Sequence, residues 1–186
     1  MKNKLILYIA MSLDGYIAEK DGDIRFLEDT PSPSPDLDYQ RFYSSLEAII
    51  LGGNTYRQIK QELFPDKWPY EEKPCYVCTR RQHQYDPNVQ FLSFPTGQQI
   101  LRFLSKKHAG NIWLMGGGEL IRCFMQENLI DEYYIYVMPV VLGDGIPLFP
   151  SGFSKTNLKL ESCKNIGEIV ELIYKKCSAS THPALV

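Results

Sequence analysis

Two short runs in this chain combine glycines with small polar residues that could meet a phosphate: Leu51-Gly52-Gly53-Asn54-Thr55 and Met115-Gly116-Gly117-Gly118-Glu119-Leu120. Glycine lets a backbone approach a ligand closely, and a helix starting at such a turn offers free N–H groups and a positive dipole end to an anion. Either run alone also fits an ordinary tight turn. Together they suit the two ends of a dinucleotide pyrophosphate, with the triple glycine the stronger of the two. Neither is a G-x-G-x-x-G fingerprint, and neither is followed by the acid expected at the end of the next strand. Thr79-Arg80-Arg81 adds a third feature. An arginine there can pair with an adenosine 2′-phosphate and select NADPH over NADH; a solvated charged loop is the plain alternative.

Other chemistries find less support. His83, His108 and His182 are scattered, with no nucleophile or acid at a meaningful spacing. Cys75 and Cys78 form a C-x-x-C, but Pro74-Cys-Tyr-Val-Cys-Thr79 reads as a strand, where residues three apart face opposite ways. With no second cysteine pair or histidine cluster, no metal site is expected. Five cysteines without framework spacing suggest reduced thiols and a cytoplasmic setting. A net charge of -2 gives no footprint for nucleic acid, and no stretch is long enough for a membrane span. The apolar start at Leu5–Met11 runs on into Ser12-Leu-Asp-Gly-Tyr-Ile-Ala18 without a convincing signal-peptide cleavage region.

The elements that must position these residues alternate between strand and helix. Strands are expected at Leu5–Ala10, Ala48–Leu51, Cys75–Thr79, Val89–Leu92, Asn111–Met115 and Asp131–Val141. Helices are expected from Asp36, from the Gly52-Gly53 turn through about Leu63, from Thr96 or Gly97, and from the triple glycine through Gln126. Leu158–Lys164 and Glu168–Lys175 read as a closing antiparallel hairpin, and residues 178–186 as a loose tail. The 186 residues then form one α/β domain over 1–177, a mixed, mostly parallel sheet with helices on both faces. Tyr, Val and Ile in the last strands suggest a homodimer surface.

Several motifs occur in an order that is more specific than any one of them. Ser12-Leu-Asp-Gly-Tyr-Ile-Ala18, Gly52-Gly-Asn-Thr-Tyr56, Met115-Gly-Gly-Gly-Glu-Leu-Ile121, Leu129-Ile-Asp-Glu-Tyr133 and Pro139-Val-Val-Leu-Gly-Asp-Gly-Ile-Pro-Leu-Phe149 follow one another. Together they resemble the stand-alone bacterial proteins grouped with the C-terminal reductase domain of the riboflavin-biosynthesis deaminase/reductase, a group with the dihydrofolate-reductase-like fold. The resemblance implies NADPH as cofactor. It implies Ala10 and Ile17 flanking the nicotinamide, and Gly52, Gly53, Asn54 and Thr55 along the pyrophosphate and ribose. Thr79 and Arg80 would meet the adenosine phosphate, and Met115, Gly116, Gly117, Gly118, Glu119 and Leu120 would close over the pyrophosphate.

The implied reaction is reduction of 5-amino-6-(5-phosphoribosylamino)uracil or a similar pyrimidine; dihydrofolate or another pterin is the second possibility. A non-catalytic dinucleotide-binding or interaction protein is the third. Asp36, at the position of the pterin-anchoring acid in the dihydrofolate reductase helix, is the first candidate for proton chemistry, and an N-cap role fits it equally well. Asp14 is a further candidate, in a Leu-Asp-Gly that also makes a good turn. The chain departs from the group in three places: Gly53 and Tyr16 stand where arginine is frequent, and Tyr8 and Ile9 where a lysine is often found near the substrate.

Overall fold

Val, Ile and Leu crowd the runs that become inner strands, because a strand covered on both faces has no solvent side to present. The computed structural model describes residues 3–30, 37–81 and 84–177. β1 (Leu5–Ser12) and the short β2 (Tyr16–Ala18) are followed by a 3-10 turn at Arg25–Leu27 and by α1 (Leu37–Ser44). β3 (Leu46–Gly52) runs into α2 (Gly53–Gln58), which loosens into a π-turn at Ile59–Leu63. β4 (Cys75–Cys78) and β5 (Val89–Leu92) precede α3 (Gly97–Ser105), β6 (Asn111–Gly116) and α4 (Gly118–Gln126). β7 (Glu132–Met138), β8 (Ile146–Pro147), β9 (Leu158–Ile166) and β10 (Ile169–Lys176) follow.

Eight strands form one sheet in the order β5-β4-β3-β6-β1-β7-β10-β9; β2 and β8 pair separately. The first six of that order run parallel, while β10 is antiparallel to both β7 and β9. This is the mixed, mostly parallel sheet of the dihydrofolate-reductase-like fold, as expected. Alternation along the inner strands sends Leu5, Leu7, Ala48, Ile50, Ile112 and Leu114 to one face, under Ile100 and Leu104 of α3 and Ile121 and Phe124 of α4. Ile6, Ile49, Leu51, Val77 and Trp113 face the other way, under Phe42 of α1 and Tyr56 of α2. Cys75 packs on the second face and Cys78 on the first. Burial pushes the Cys75 thiol up to about 11 and the Cys78 thiol up to about 12, so both are poor nucleophiles at neutral pH.

β7 is shorter than the Asp131–Val141 run predicts. At its entry the Asp131 carboxylate accepts the Leu5 N–H at 2.9 Å, and the strand begins at Glu132. Its exit lies at Pro139, which has no N–H to continue a ladder. The β9–β10 hairpin turns at Gly167, where φ is +63°, and leaves Leu158 and Leu160 exposed on the edge strand.

The loop entering β5 is pinned by a buried carboxylate. Asp86 accepts the Tyr56 hydroxyl at 2.5 Å and the Asn88 N–H at 2.9 Å, and pairs with Lys60. Burial pushes the Asp86 carboxyl up, but the bonds from Lys60, Tyr56 and Asn88 outweigh it and hold the group down at about 2. A carboxyl lowered on folding stabilises the protein above its unfolded value of 3.8, and that stability disappears as pH falls from about 4 toward 2. Asp86→Asn should therefore cost on the order of 1–2 kcal/mol at pH 7 and flatten the loss of stability over that acid window, as read by urea unfolding at stepped pH.

Candidate functional site

Parallel strands place their carboxyl ends along one rim of the sheet, and this rim carries both glycine turns. β1 pairs with β6 only from Leu5↔Ile112 to Leu7↔Leu114. β1 nevertheless continues to Ser12 alongside β7, and β6 continues to Gly116 alongside β3. The two central strands therefore part at their carboxyl ends. The Trp113 indole N–H donates to the Tyr8 carbonyl at 3.1 Å, satisfying an acceptor just past the last paired residue. The chain also reverses its direction of travel here, since β6 lies on one side of β1 and β7 on the other. In open α/β sheets such a switch point is where a crevice for a ligand forms.

β3 and β6 end in the two turns, side by side. A Cβ on Gly52 would lie 3.5 Å from the Gly116 carbonyl and 3.7 Å from the Gly117 nitrogen, so the two backbones nearly touch. The Gly117 N–H donates to Thr55 Oγ1 at 2.9 Å, which ties the second turn to the first turn of α2. Gly116 has φ +137°, a backbone conformation that a side chain would strain.

The helices starting here differ from α3 in one decisive way. The first N–H groups of α3 are taken by Thr96 Oγ1 at 3.2 Å and by the Glu127 carboxylate at 2.8 and 3.0 Å. α2 and α4 begin on glycine with no side-chain cap. The Leu120 N–H turns back to the Gly117 carbonyl at 2.9 Å, which leaves the Gly118 and Glu119 N–H groups of α4, with those of Gly53 and Asn54 in α2, to an anion at the rim.

The structure brings the other expected cofactor residues to the same rim. A Cβ on Gly53 would lie 3.2 Å from Thr79 Oγ1 at the end of β4. Arg80, beyond it, reaches the Glu119 carboxylate at 3.4 Å across the mouth; both side chains are 90 % exposed. Asn54 is exposed and accepts from Arg57 at 2.5 Å, and Leu120 is buried beneath the second turn. Met115 is half-buried on β6. Ile17 on β2 approaches Gly118, with Cδ1 3.9 Å from where a Cβ would stand. Ala10 lies half-buried on β1 opposite Tyr136 of β7.

Of the two candidate acids, Asp36 lies outside the described residues. Asp14 sits in the turn after β1 and holds the loop before β8. Its Oδ1 accepts from the Ser12 hydroxyl at 2.6 Å and the Leu142 N–H at 3.1 Å, and its Oδ2 accepts from the Gly143 N–H at 2.7 Å. The Ser12 bond, with the Gly143 and Leu142 backbone bonds beside it, outweighs desolvation and lowers the carboxyl below its ordinary value. At neutral pH Asp14 is therefore an ionised acceptor that knits two sequence motifs together. The Leu148 N–H to Gly15 carbonyl bond at 2.9 Å and the β2–β8 ladder continue that seam.

Sequence reasoning passed over one polar group near the crevice. The Tyr133-Tyr134-Ile135-Tyr136 run read as packing, yet the Tyr136 hydroxyl donates to Glu171 at 2.7 Å and both residues are buried. Burial, then hydrogen bonding with Tyr8 and Glu171, pushes the Tyr136 phenol far up, so it stays protonated. Only the register of β7 against β10 pairs Tyr136 with Glu171. A separate depression of about 620 Å³ opens at the amino ends of the strands, lined by Leu5, Leu101, Ile112 and Leu129. It holds none of the candidate cofactor residues, which gather toward the opposite rim.

A model of the family described as the RibD C-terminal domain matches residues 3–172. The chain is 41 % identical over 175 residues to the uncharacterized protein YwjB of Bacillus subtilis (strain 168), covering 94 % of this chain and 98 % of that one. Among solved structures, a protein of Shewanella sp. PV-4 assigned provisionally to riboflavin biosynthesis superposes with a TM-score of 0.83 at 28 % identity, covering 96 % of this chain and all of that one. The diaminohydroxyphosphoribosylaminopyrimidine deaminase/5-amino-6-(5-phosphoribosylamino)uracil reductase of Thermotoga maritima superposes with a TM-score of 0.70 at 17 % identity. That match covers 95 % of this chain and 57 % of the longer enzyme, and it speaks for the fold alone.

Proposed function

Since the chain belongs to the RibD C-terminal domain family, we propose that it is an NADPH-dependent reductase acting on an aminopyrimidine of the 5-amino-6-(5-phosphoribosylamino)uracil type. The observation that carries this reading is the meeting of two uncapped helix starts, at the adjoining ends of β3 and β6, beside the place where β6 and β1 part. The residues present fit a dinucleotide. Glycine at 52 and 117 lets the two turns lie against each other without side chains between them, and the free N–H groups at the starts of α2 and α4 would meet its phosphates.

Gly53, Asn54 and Thr55 would line the near ribose and pyrophosphate, with Thr79 and Arg80 at the adenosine phosphate. Gly116 to Leu120 would close over the pyrophosphate, and Ala10 and Ile17 would bracket the nicotinamide. When bound, NADPH would supply the hydride. The chain's part is to fix the acceptor carbon against it, to exclude water, and to deliver a proton. We assign the proton to Asp36, and to Asp14 the holding of the loop that β8 leads from.

The test is a titration of purified protein with NADPH and NADH followed by nicotinamide fluorescence. Saturable binding that prefers NADPH is the expected result; binding of neither would end the reading. Arg80→Ala should weaken NADPH roughly tenfold, about one charge-assisted contact, and leave NADH within about twofold. An equal effect on both cofactors would remove Arg80 from the 2′-phosphate. Tight NADPH binding without oxidation by pyrimidines or pterins would indicate a dinucleotide-binding protein without catalysis.

A further inference from the structure

The depression at the amino ends of the strands is lined quite differently from the cofactor rim. Its volume of about 620 Å³ lies within the roughly 300–1,000 Å³ of small-molecule pockets. Its floor is apolar. Leu5 and Ile112 lie at the starts of β1 and β6, and Leu101 of α3 and Leu129 after α4 are half-buried beside them.

Helical spacing supplies one wall. Gln98, Leu101, Arg102 and Ser105 stand three or four residues apart on α3, so they share the face that borders the depression. Ile100 and Leu104 turn into the core instead. Lys106 follows at the end of the same helix and also borders the opening.

The charge at this mouth is one-sided. Arg102, Lys106 and Lys176 border it against a single carboxylate, Asp131, on a chain whose net charge is -2. That carboxylate is already engaged: its Oδ2 accepts the Leu5 N–H at 2.9 Å, and its Oδ1 lies 3.9 Å from the Lys176 ammonium. Lys176 also donates to the Asn128 carbonyl at 2.7 Å, which fixes it at the edge of the opening. Arg102 and Lys106 pair with no carboxylate among the described residues. Other cations of the chain do pair, as Lys4 does with Glu132, Lys60 with Asp86 and Lys175 with Glu161.

Two unpaired cations beside an apolar floor restrict what fits. A bare inorganic anion would leave the floor in water, and an uncharged hydrocarbon would leave the cations unused. A carboxylate on a short hydrocarbon body meets both. The planar guanidinium of Arg102 can take the carboxylate by two parallel N–H bonds, while the body covers Leu101 and Leu129.

We propose that this depression binds an amphipathic carboxylate of small-molecule size, its head held by Arg102 and Lys106 and its apolar body lying on Leu101 and Leu129. The site is separate from the cofactor rim and does not rest on the reductase reading.

The experiment is calorimetric titration of the full chain with octanoate, butanoate and octylamine. Octanoate should bind saturably, and butanoate at least about tenfold more weakly, because it lacks four methylenes of apolar contact. Octylamine, equal in length but cationic, should not bind. Arg102→Ala should weaken octanoate about tenfold, one charge-assisted contact, and Arg102→Glu should abolish binding. Lys106→Ala should weaken it severalfold, and so should Leu101→Gln, with a melting curve to confirm that each variant is folded. Saturating NADP+ should leave the octanoate affinity unchanged.

Equal octanoate affinity in wild type and folded Arg102→Glu overturns the proposal, as does equal binding of octanoate and octylamine. Displacement of octanoate by NADP+ overturns it too, because the probe would then sit at the cofactor rim. Octanoate binding that appears only after residues 178–186 are removed would make that segment the occupant and overturn it. A wild-type protein that takes up no octanoate at millimolar concentration ends it outright.

Discussion

Gly117→Val is expected to raise the Kd for NADPH at least about thirtyfold, near 2 kcal/mol, while lowering Tm by only a few degrees. The backbone of this turn approaches α2 so closely that a Cβ on Gly117 would lie 3.1 Å from Thr55 Oγ1. A β-branched side chain adds two further carbons at a point where the Gly117 N–H to Thr55 bond of 2.9 Å joins the two turns. The wedge would part those turns and shift the uncapped starts of α2 and α4 that would hold a pyrophosphate. Gly117 itself is only half-buried, so the core below is little disturbed. Fluorescence titration beside a melting curve separates the two effects. Wild-type affinity in a well-folded Gly117→Val protein would move the dinucleotide away from this rim.

Phe124→Ala should cost about 3–5 kcal/mol and lower Tm by roughly 10 °C for a domain of this size. Phe124 is 0 % exposed and lies in α4 against the layer formed by Leu114, Ile121, Ile130 and Leu104. Removing the ring leaves a cavity that backbone on all sides keeps open. The ring also presses on α3: a Cβ at Gly97 would meet Phe124 Cδ1 at 3.1 Å and Leu129 Cδ1 at 2.9 Å. Gly97→Ala should therefore destabilise by about 1–3 kcal/mol in the wild-type background and by clearly less beside Phe124→Leu. Thermal unfolding of the four proteins reads this coupling directly, and simple additivity would mean that the two residues do not compete for space.

The strands, the helices and the glycine turns were legible because each rests on local physics. Runs such as Ala48–Leu51 can only be buried on both sides, and Gly116 and Gly117 mark backbone that a side chain would block. The order of the motifs along the chain then reached the family and the fold. The short β2–β8 ladder was not legible, since three residues and two residues carry no period of their own. Its partners are set by Asp14, whose carboxylate reaches 129 positions along the chain to Gly143. In sequence that aspartate reads as a turn former or an acid, and tertiary contacts give it loop-holding bonds.

What the sequence by itself determined is the set of local conformations: which runs extend, which coil, and where the backbone must come close to something. It also determined the family, through several motifs in one order. Tertiary structure alone decided that β1 and β6 part after Leu7 and Leu114, because strand order and register depend on all eight strands at once. It alone decided that α2 and α4 begin uncapped side by side while α3 is capped by Glu127 from thirty residues away. It alone brought Tyr136 to Glu171. A hydrogen bond between residues 35 positions apart has no period and no neighbouring signal, and only the sheet register brings its two ends together.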